Sequence, residues 1–158
     1  MSDAAARQRA RLAYEASLRA LDHQRQALDE IRSRTGVVLA AASLSASFLG
    51  ARAFDEHHFA ILSFLALAAL VMTLVVGTLV LAPRGEFLFS VSGTVLYQDL
   101  AEVEDEAEQL RYVAHWLDQF WECNRSPIRK LARRFEIAAG ALVVQILLWT
   151  LATSGTLD

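Results

Sequence analysis

Basic side chains are concentrated in short segments of this 158-residue chain, and their chemistry suits the binding of phosphate groups. Guanidinium groups bind phosphate oxygens through paired hydrogen bonds. We therefore interpret one basic cluster as a candidate ligand-binding site, made of Arg32, Arg34, Arg125, Arg129, Lys130, Arg133 and Arg134. The alternative is a role in membrane orientation and in contact with anionic lipid, which such clusters also have at a cytoplasmic membrane face.

Polar side chains inside otherwise apolar stretches form a second candidate site. A polar group within lipid must find a hydrogen-bond partner or line a water-filled path. Two interpretations stay open, namely pore lining and hydrogen bonds between helices. Gln145 is the most informative of these residues, because an amide buried in lipid needs a partner. The full set is Ser43, Ser47, Thr73, Thr78 and Gln145.

Residues typical of catalysis or metal binding form no persuasive pattern. Residues 55–58 combine two acidic side chains with His57 and His58, but adjacent side chains on a helix point in different directions. The Ser, Cys and His residues show no arrangement that would activate a nucleophile. The single Cys123 cannot form an intrachain disulfide. We expect no enzyme activity, no metal site and no cofactor.

Three long stretches without Asp, Glu, Lys or Arg determine the architecture that we expect. They cover residues 35–51, 59–82 and 137–157. About 20 apolar residues in a helix cross a hydrocarbon core of about 30 Å. The second and third stretches reach this length, and the first reaches it when the stem of Arg52 snorkels and residues 53–54 are added. We predict an all-α membrane protein with transmembrane helices at 35–54, 59–82 and 137–157.

The distribution of basic residues predicts the orientation of these spans. Residues 1–34 and the loop 83–136 are rich in arginine, whereas the turn 52–58 has one and the tail 154–158 has none. Positive residues stay on the cytoplasmic side of a span. We expect a cytoplasmic N-terminus and an exterior C-terminus in a bacterial inner membrane. Residues 1–34 lack a cleavable apolar core, so we expect no signal peptide.

Two cytoplasmic helices are expected beside the spans. Residues 4–34 contain no Gly or Pro, and their apolar side chains recur three, four or seven residues apart. A second helix is expected from Thr94 to Cys123. Ser126 and Pro127 resemble the cap and first residue of a further helix that leads into the last span. The second helix carries a heptad seam of Leu96, Leu100, Val103, Ala107, Leu110, Ala114, Leu117 and Trp121.

The length of the loop constrains how its helix lies. Residues 94–123 form a helix of about 45 Å, whereas residues 126–136 return only about 15 Å towards the membrane. Either the helix lies along the membrane surface, or residues 83–93 descend first and the helix climbs back. We favour the climbing arrangement, in which both cytoplasmic helices point the same way and their seams pack. This predicts a cytoplasmic helical stalk within a single membrane domain, residues 1–158.

Small residues and the heptad seam predict self-association. Ala42, Ala46 and Gly50 recur at every fourth position, a spacing that lets helices approach closely in lipid. Three helices from one chain cannot enclose a pore of useful width, so conduction requires a homo-oligomer. We expect association through this small-residue face and through the seam of the second cytoplasmic helix.

This plan resembles small bacterial membrane effectors of anti-phage signalling systems. The features that carry the resemblance are the sequence LDEIRSRTG at residues 28–36 and the basic residues 124–134, each of which leads into a span. They look like the SLATT and Pycsar transmembrane effector families. SLATT proteins are usually described with two spans, so a third span favours the Pycsar-type plan or a divergent member. The resemblance implies an oligomer that changes membrane permeability in response to a nucleotide signal from a partner enzyme.

Two functions remain open on sequence alone. The first is a homo-oligomeric gated channel or pore, surrounded by membrane lipid, controlled by a nucleotide or oligonucleotide, and served by a nucleotide-synthesising enzyme. The second is a non-conducting structural or scaffolding membrane protein. A neighbouring gene for a nucleotidyltransferase or cyclase would favour the first.

Overall fold

The structure, a computed structural model, describes residues 3–51, 61–82, 87–101 and 103–154. These residues contain helices and no strand, so the all-α prediction is confirmed for the described part of the chain. A π-helical segment, Ala46–Gly50, directly follows the first helix. In chain order the α-helices are α1 (Asp3–Ser45), α2 (Ile61–Leu81), α3 (Gly93–Asp99) and α4 (Glu106–Ser154).

Helix α1 continues without interruption from the expected cytoplasmic helix into the first apolar stretch. Gly36, at the junction, lies inside the helix. The buried side chains of α1 recur at intervals of seven or four residues, which is the heptad spacing of a helix that packs along one face. They are Ala10, Ser17, Leu21, Leu28, Thr35 and Ala42.

The start of α4 corrects the predicted helix at 94–123, which is interrupted after Asp99. Asp105 caps the new helix, because its carboxylate oxygen accepts a hydrogen bond from the backbone N–H of Ala107 at 3.3 Å. Glu106 and Glu108 lie in the first turn. Acidic side chains are favourable beside the positive end of a helix dipole. An acid-rich segment therefore begins a helix here, where we had predicted a helix interior.

The predicted helix start at Ser126 and Pro127 is wrong, since both residues lie inside α4. Proline has no backbone N–H, so one intrahelical hydrogen bond is missing at this point. Asn124 and Leu131, seven residues apart on either side of the proline, are both buried. The same face of the helix therefore stays packed across Pro127. This packing outweighs the local cost of the proline.

The described residues divide into two compact units. Unit 1 contains those within 1–29 and 84–129, and unit 2 contains those within 30–83 and 130–158. In unit 1 the hydroxyl of Ser17 donates to the carboxylate of Asp118 at 2.8 Å, and the amide of Gln24 donates to the carbonyl of Trp121 at 2.9 Å. The residue numbers of the hydrogen-bonded partners increase together along α1 and α4, so the two helices run parallel in unit 1. This is the direction predicted from the length of the loop.

In unit 2 the same two helices are also parallel. The side-chain amide of Gln145 on α4 donates to the carbonyl of Ala42 at 3.1 Å. One turn further along α4, the ring of Trp149 lies 3.6 Å from the position that a Cβ atom would take on Gly50, which is eight residues after Ala42. The π segment therefore packs against α4 at a residue without a side chain, which allows the indole to approach.

Helix α2 completes unit 2 by packing closely on α1. A Cβ atom added at Gly77 would lie 2.7 Å from the Cδ2 atom of Leu39. This distance is shorter than a van der Waals contact between carbon atoms. Glycine favours the close approach of these two helices, because any side chain here would displace the end of Leu39.

The packing of unit 2 is the reverse of that in a soluble core. The buried residues of α2 are mostly small or polar: Ser63, Ala66, Thr73, Gly77 and Val80. By contrast, the side chains of Ile61 and Phe64 are 80% and 64% exposed. Soluble proteins bury most of their large apolar side chains. An exterior of this composition suits contact with hydrocarbon.

Two helices of the described part, α2 and α4, are long and apolar enough to cross a membrane. Only 22% of the most apolar window of each is buried within the chain. The first predicted span begins in α1 and continues into the π segment. Its last residues, 52–54, lie outside the described residues, as does the exterior turn 55–58. The first predicted span, 35–54, and with it the total of three, therefore stays a prediction.

The two surfaces predicted for self-association are partly covered within the chain, and self-association itself stays a prediction. Ala42 is 0% exposed, and Gly50 is covered by Trp149. In the heptad seam, Ala107, Ala114 and Leu117 are buried in unit 1. Ala46 and Leu110, on the same two faces, are only half-buried, so part of each face remains accessible.

Candidate functional site

The seven predicted ligand-binding residues lie on two helices and are divided between the units. Five belong to unit 2, and two, on α4, belong to unit 1. The members in unit 2 are Arg32 and Arg34 on α1 with Lys130, Arg133 and Arg134 on α4, and those in unit 1 are Arg125 and Arg129.

In unit 1, Arg125 already has neighbours on its own helix. Its guanidinium carbon lies 5.3 Å from the centre of the Trp121 ring, and a guanidinium nitrogen lies 3.9 Å from a Glu122 oxygen. The side chain remains 51% exposed. Such exposed contacts contribute little free energy, so they leave Arg125 able to bind an anion. Arg129 is exposed on the next turn.

In unit 2, three of the five basic residues are open to solvent. Arg34 forms an ion pair with Glu30, four residues earlier on α1, and both side chains are more than half exposed. An exposed pair of this kind contributes about 0–1 kcal/mol. Lys130 and Arg133 are exposed on α4. Each of these three side chains is open to a dissolved ligand.

Arg32 and Arg134 differ from the others because their guanidinium groups are partly buried. The Nε atom of Arg32 and one terminal nitrogen of Arg134 are buried without a hydrogen-bond partner among the described residues. A buried charged donor without an acceptor costs free energy. Both arginines belong to unit 2. Among the described residues, they are the basic ones with a buried nitrogen that lacks a hydrogen-bond acceptor.

The pairing of α1 with α4 indicates that these two arginines lie at similar levels. In unit 2, Gln145 contacts Ser45, a partner 100 residues earlier in the chain. Because the helices are parallel, the same offset places Arg32 level with residue 132. Arg134 is then about 3 Å further along the axis, at roughly 1.5 Å per residue. The two side chains therefore start from similar levels of neighbouring helices in unit 2.

Gln145, predicted as pore lining or as a helix–helix contact, makes contacts between helices. It is 0% exposed. Its amide nitrogen donates to the Ala42 carbonyl at 3.1 Å and to the Ser45 hydroxyl oxygen at 2.8 Å. The Ser45 hydroxyl in turn donates to the Ala42 carbonyl at 3.0 Å. The amide oxygen of Gln145 is buried without a partner in the described part of the chain.

The hydroxyl groups predicted to line a pore bond to their own helices. Thr73 is buried and donates to the carbonyl of Ala69 at 2.9 Å. Ser43, Ser47 and Thr78 are exposed, and each also donates to the carbonyl four residues earlier. A hydroxyl satisfied in this way can face lipid or a neighbouring helix. The structure brings no predicted pore residues together around an opening within unit 2.

Asn124 is a residue whose role the sequence analysis missed. It is 0% exposed in unit 1, and its side chain holds the backbone of Leu88 from both sides. The amide nitrogen donates to the Leu88 carbonyl at 2.8 Å, and the amide oxygen accepts from the Leu88 N–H at 3.1 Å. This clamp fixes the segment 87–92 against α4. The heptad seam continues three residues after Trp121 at this asparagine, and a polar residue at a seam position indicates a buried side chain with hydrogen-bond partners.

The acidic and histidine side chains at 55–58 lie outside the described residues. Within the part of the chain that the structure describes, no three His, Cys, Asp or Glu side chains are grouped as metal ligands. No family model, no curated protein and no solved structure matches this chain. Its function must therefore be argued from the two clusters described above.

Proposed function

We propose that the chain is an integral protein of a bacterial inner membrane with three transmembrane helices. The reversed packing of unit 2 supports insertion, because exposed Leu, Ile, Val and Phe side chains favour lipid over water. The parallel pairing of α1 with the apolar part of α4 supports the first predicted span, 35–54, as the additional crossing. When α4 crosses the membrane, residues 35–50 lie beside it and cross in the same direction. The arginine distribution favours a cytoplasmic N-terminus and an exterior C-terminus.

Reporter fusions at each end test this topology. We expect a cytoplasmic reporter to be active at the N-terminus and inactive at the C-terminus, since an odd number of spans puts the ends on opposite sides. A periplasmic reporter at the C-terminus should show the reverse activity. A C-terminal reporter that works only in the cytoplasm would exclude three spans and leave a two-span protein.

We further propose that copies of the chain assemble into a gated ion channel or pore. The observation that carries this proposal is the face of α1 left open in unit 2. Gln145 and Thr73 are used inside the chain, whereas small and hydroxyl side chains face outward between bulky apolar ones. A water-filled path would therefore form between chains and not within one. The outward residues are Gly36, Ala40, Ser43 and Ser47.

The cytoplasmic arginines are the proposed control site of this assembly. A dissolved phosphate-bearing ligand, such as a nucleotide or oligonucleotide, can reach the exposed Arg129 and Arg133. It would change the conducting population only by binding one state more tightly than the other. The resemblance to SLATT and Pycsar effectors supports a role in anti-phage defence, with a partner enzyme that makes the signal.

Planar-bilayer recordings with the purified oligomer test the proposed channel. We expect anion-preferring currents that change when a nucleotide or oligonucleotide is added on the side of the N-terminus, because arginines at a pore mouth concentrate anions. Replacing Arg129 and Arg133 with Gln should weaken the ligand response at least about tenfold, since two charged contacts are lost. The matched control is the pair Arg25→Gln and Arg111→Gln, which removes equal charge elsewhere.

A non-conducting scaffold is the second candidate function. The observation that favours it is the packing of α1 against α4 within one chain in each unit, since Ser17 contacts Asp118 in unit 1 and Ala42 contacts Gln145 in unit 2. Silent bilayers, both with and without nucleotides, would support the scaffold over the channel.

A further inference from the structure

The two partly buried arginines of unit 2 are followed on both helices by exposed apolar residues. Val37, five residues after Arg32, is 67% exposed, and Ile137, three residues after Arg134, is 39% exposed. On both helices the sequence then contains no acidic or basic residue through to the end of the described apolar stretch. The boundary between charged and apolar surface thus falls at a similar level on α1 and α4. Such a boundary is where lipid headgroups meet acyl chains.

At this boundary, buried guanidinium nitrogens lack a hydrogen-bond acceptor. The Nε atom of Arg32 and a terminal nitrogen of Arg134 are buried, and no described residue accepts from them. A phosphate oxygen is a strong acceptor for guanidinium groups. The adjoining surface, at Val37 and Ile137, is apolar and exposed, and it suits acyl chains. A molecule that combines a phosphate with acyl chains matches both features, whereas a dissolved nucleotide matches only the first.

We propose that Arg32 and Arg134 together bind the phosphate of one anionic phospholipid, with its acyl chains along the apolar surfaces of α1 and α4. The site rests on the membrane insertion in the proposed function but does not depend on conduction. It leaves the exposed Arg129 and Arg133 for a dissolved ligand. The lipid supplies the acceptor that the chain lacks, and it ties α1 to α4 at the cytoplasmic face.

Retention of phosphatidylglycerol by the purified protein tests this site. The full chain is purified in a mild detergent, bound lipid is counted by native mass spectrometry, and affinity is measured with detergent-solubilised phosphatidylglycerol. We expect one retained phosphatidylglycerol per chain. The double variant Arg32→Gln, Arg134→Gln should bind it about tenfold more weakly or worse, because two charge-assisted hydrogen bonds are lost. The matched control, Arg25→Gln with Arg111→Gln, should bind it like the unmodified chain.

Three further comparisons make the result decisive. Phosphatidylcholine should be retained less than phosphatidylglycerol, and inorganic phosphate at millimolar concentration should not displace the lipid. If the double Gln variant fails to fold by circular dichroism, the variant Arg134→Lys decides, since it keeps the charge but loses the forked donors and should bind more weakly. Equal retention by all variants would overturn the site. Displacement by inorganic phosphate would reassign it to a dissolved anion. If the planar-bilayer recordings show no current, the proposed channel fails, but the number of phosphatidylglycerol molecules retained per chain stays the same.

Discussion

Replacing Asn124 with Leu is expected to destabilise unit 1 by about 2–3 kcal/mol. The apolar side chain has a similar size but leaves both the N–H and the carbonyl of Leu88 without their partner. The carbonyl and the N–H of Leu88 are then desolvated without compensation, unless the segment 87–92 leaves α4 and is hydrated. Thermal unfolding of the full chain in detergent, followed by tryptophan fluorescence from Trp116 and Trp121, measures the loss.

Two further variants separate the clamp from general effects of substitution. Asn124→Asp keeps the shape but replaces the donor with an oxygen that faces the Leu88 carbonyl, so it should be at least as damaging. Cys123→Leu, at an exposed neighbouring position, should change the unfolding free energy by less than about 0.5 kcal/mol. If all three variants unfold like the unmodified chain, Asn124 does not hold Leu88.

Replacing Gly77 with Leu is expected to separate α2 from α1 in unit 2. An added Cβ atom alone would lie 2.7 Å from Leu39, and the rest of a leucine has no room between the helices. Overpacking of this kind costs about 1–3 kcal/mol or more. Gly77→Ala should cost less, because the far end of the Leu39 side chain can move. The temperature at which half the protein aggregates in lipid–detergent micelles should fall accordingly.

Gly140→Leu is the matched control for this prediction. It adds the same side chain to the same unit, at an exposed position with no atom within 4 Å of the added Cβ. We expect little change in thermal stability, since a leucine there would contact lipid. Equal losses from the two substitutions would mean that α1 and α2 do not pack at Gly77, and would weaken the three-helix arrangement of unit 2.

Periodicity and helix length were sufficient to predict the helical class and the direction of the main helix pair. The spacing of Leu18, Leu21 and Leu28 predicted one apolar face of α1, of which Leu21 and Leu28 are buried and Leu18 is 40% exposed. On α4 the heptad spacing of Ala114 and Leu117 predicted the buried face. The length of the loop left two arrangements open. The favoured, climbing one requires parallel helices, and the contacts of Ser17 and Gln24 show that direction in unit 1. These features depend on one-dimensional spacing, which a single sequence contains.

The remaining features depend on which partner each face finds, and spacing does not contain that information. Ala42 and Gly50 have the pattern of an association face, but the same pattern serves contacts within a chain as well as between chains. Pro127 has a strong local preference for a helix start, and the packing of Asn124 and Leu131 overrides it. The unsatisfied donors of Arg32 and Arg134 could be recognised only when the burial of individual nitrogen atoms was known.

The pairing of α1 with α4 has a consequence for the order of events during synthesis. Ser17 and Gln24 bind partners 101 and 97 residues later in the chain, and Ala42 is bound by a residue 103 positions later. The ribosome must therefore add most of the chain before the apolar stripe of α1, its buried face, can pack against α4. Contacts between such distant residues form slowly, because a long loop must close first. Until then, the stripe of a nascent α1 is exposed to chaperones, to the translocon and to the α1 helices of neighbouring nascent chains.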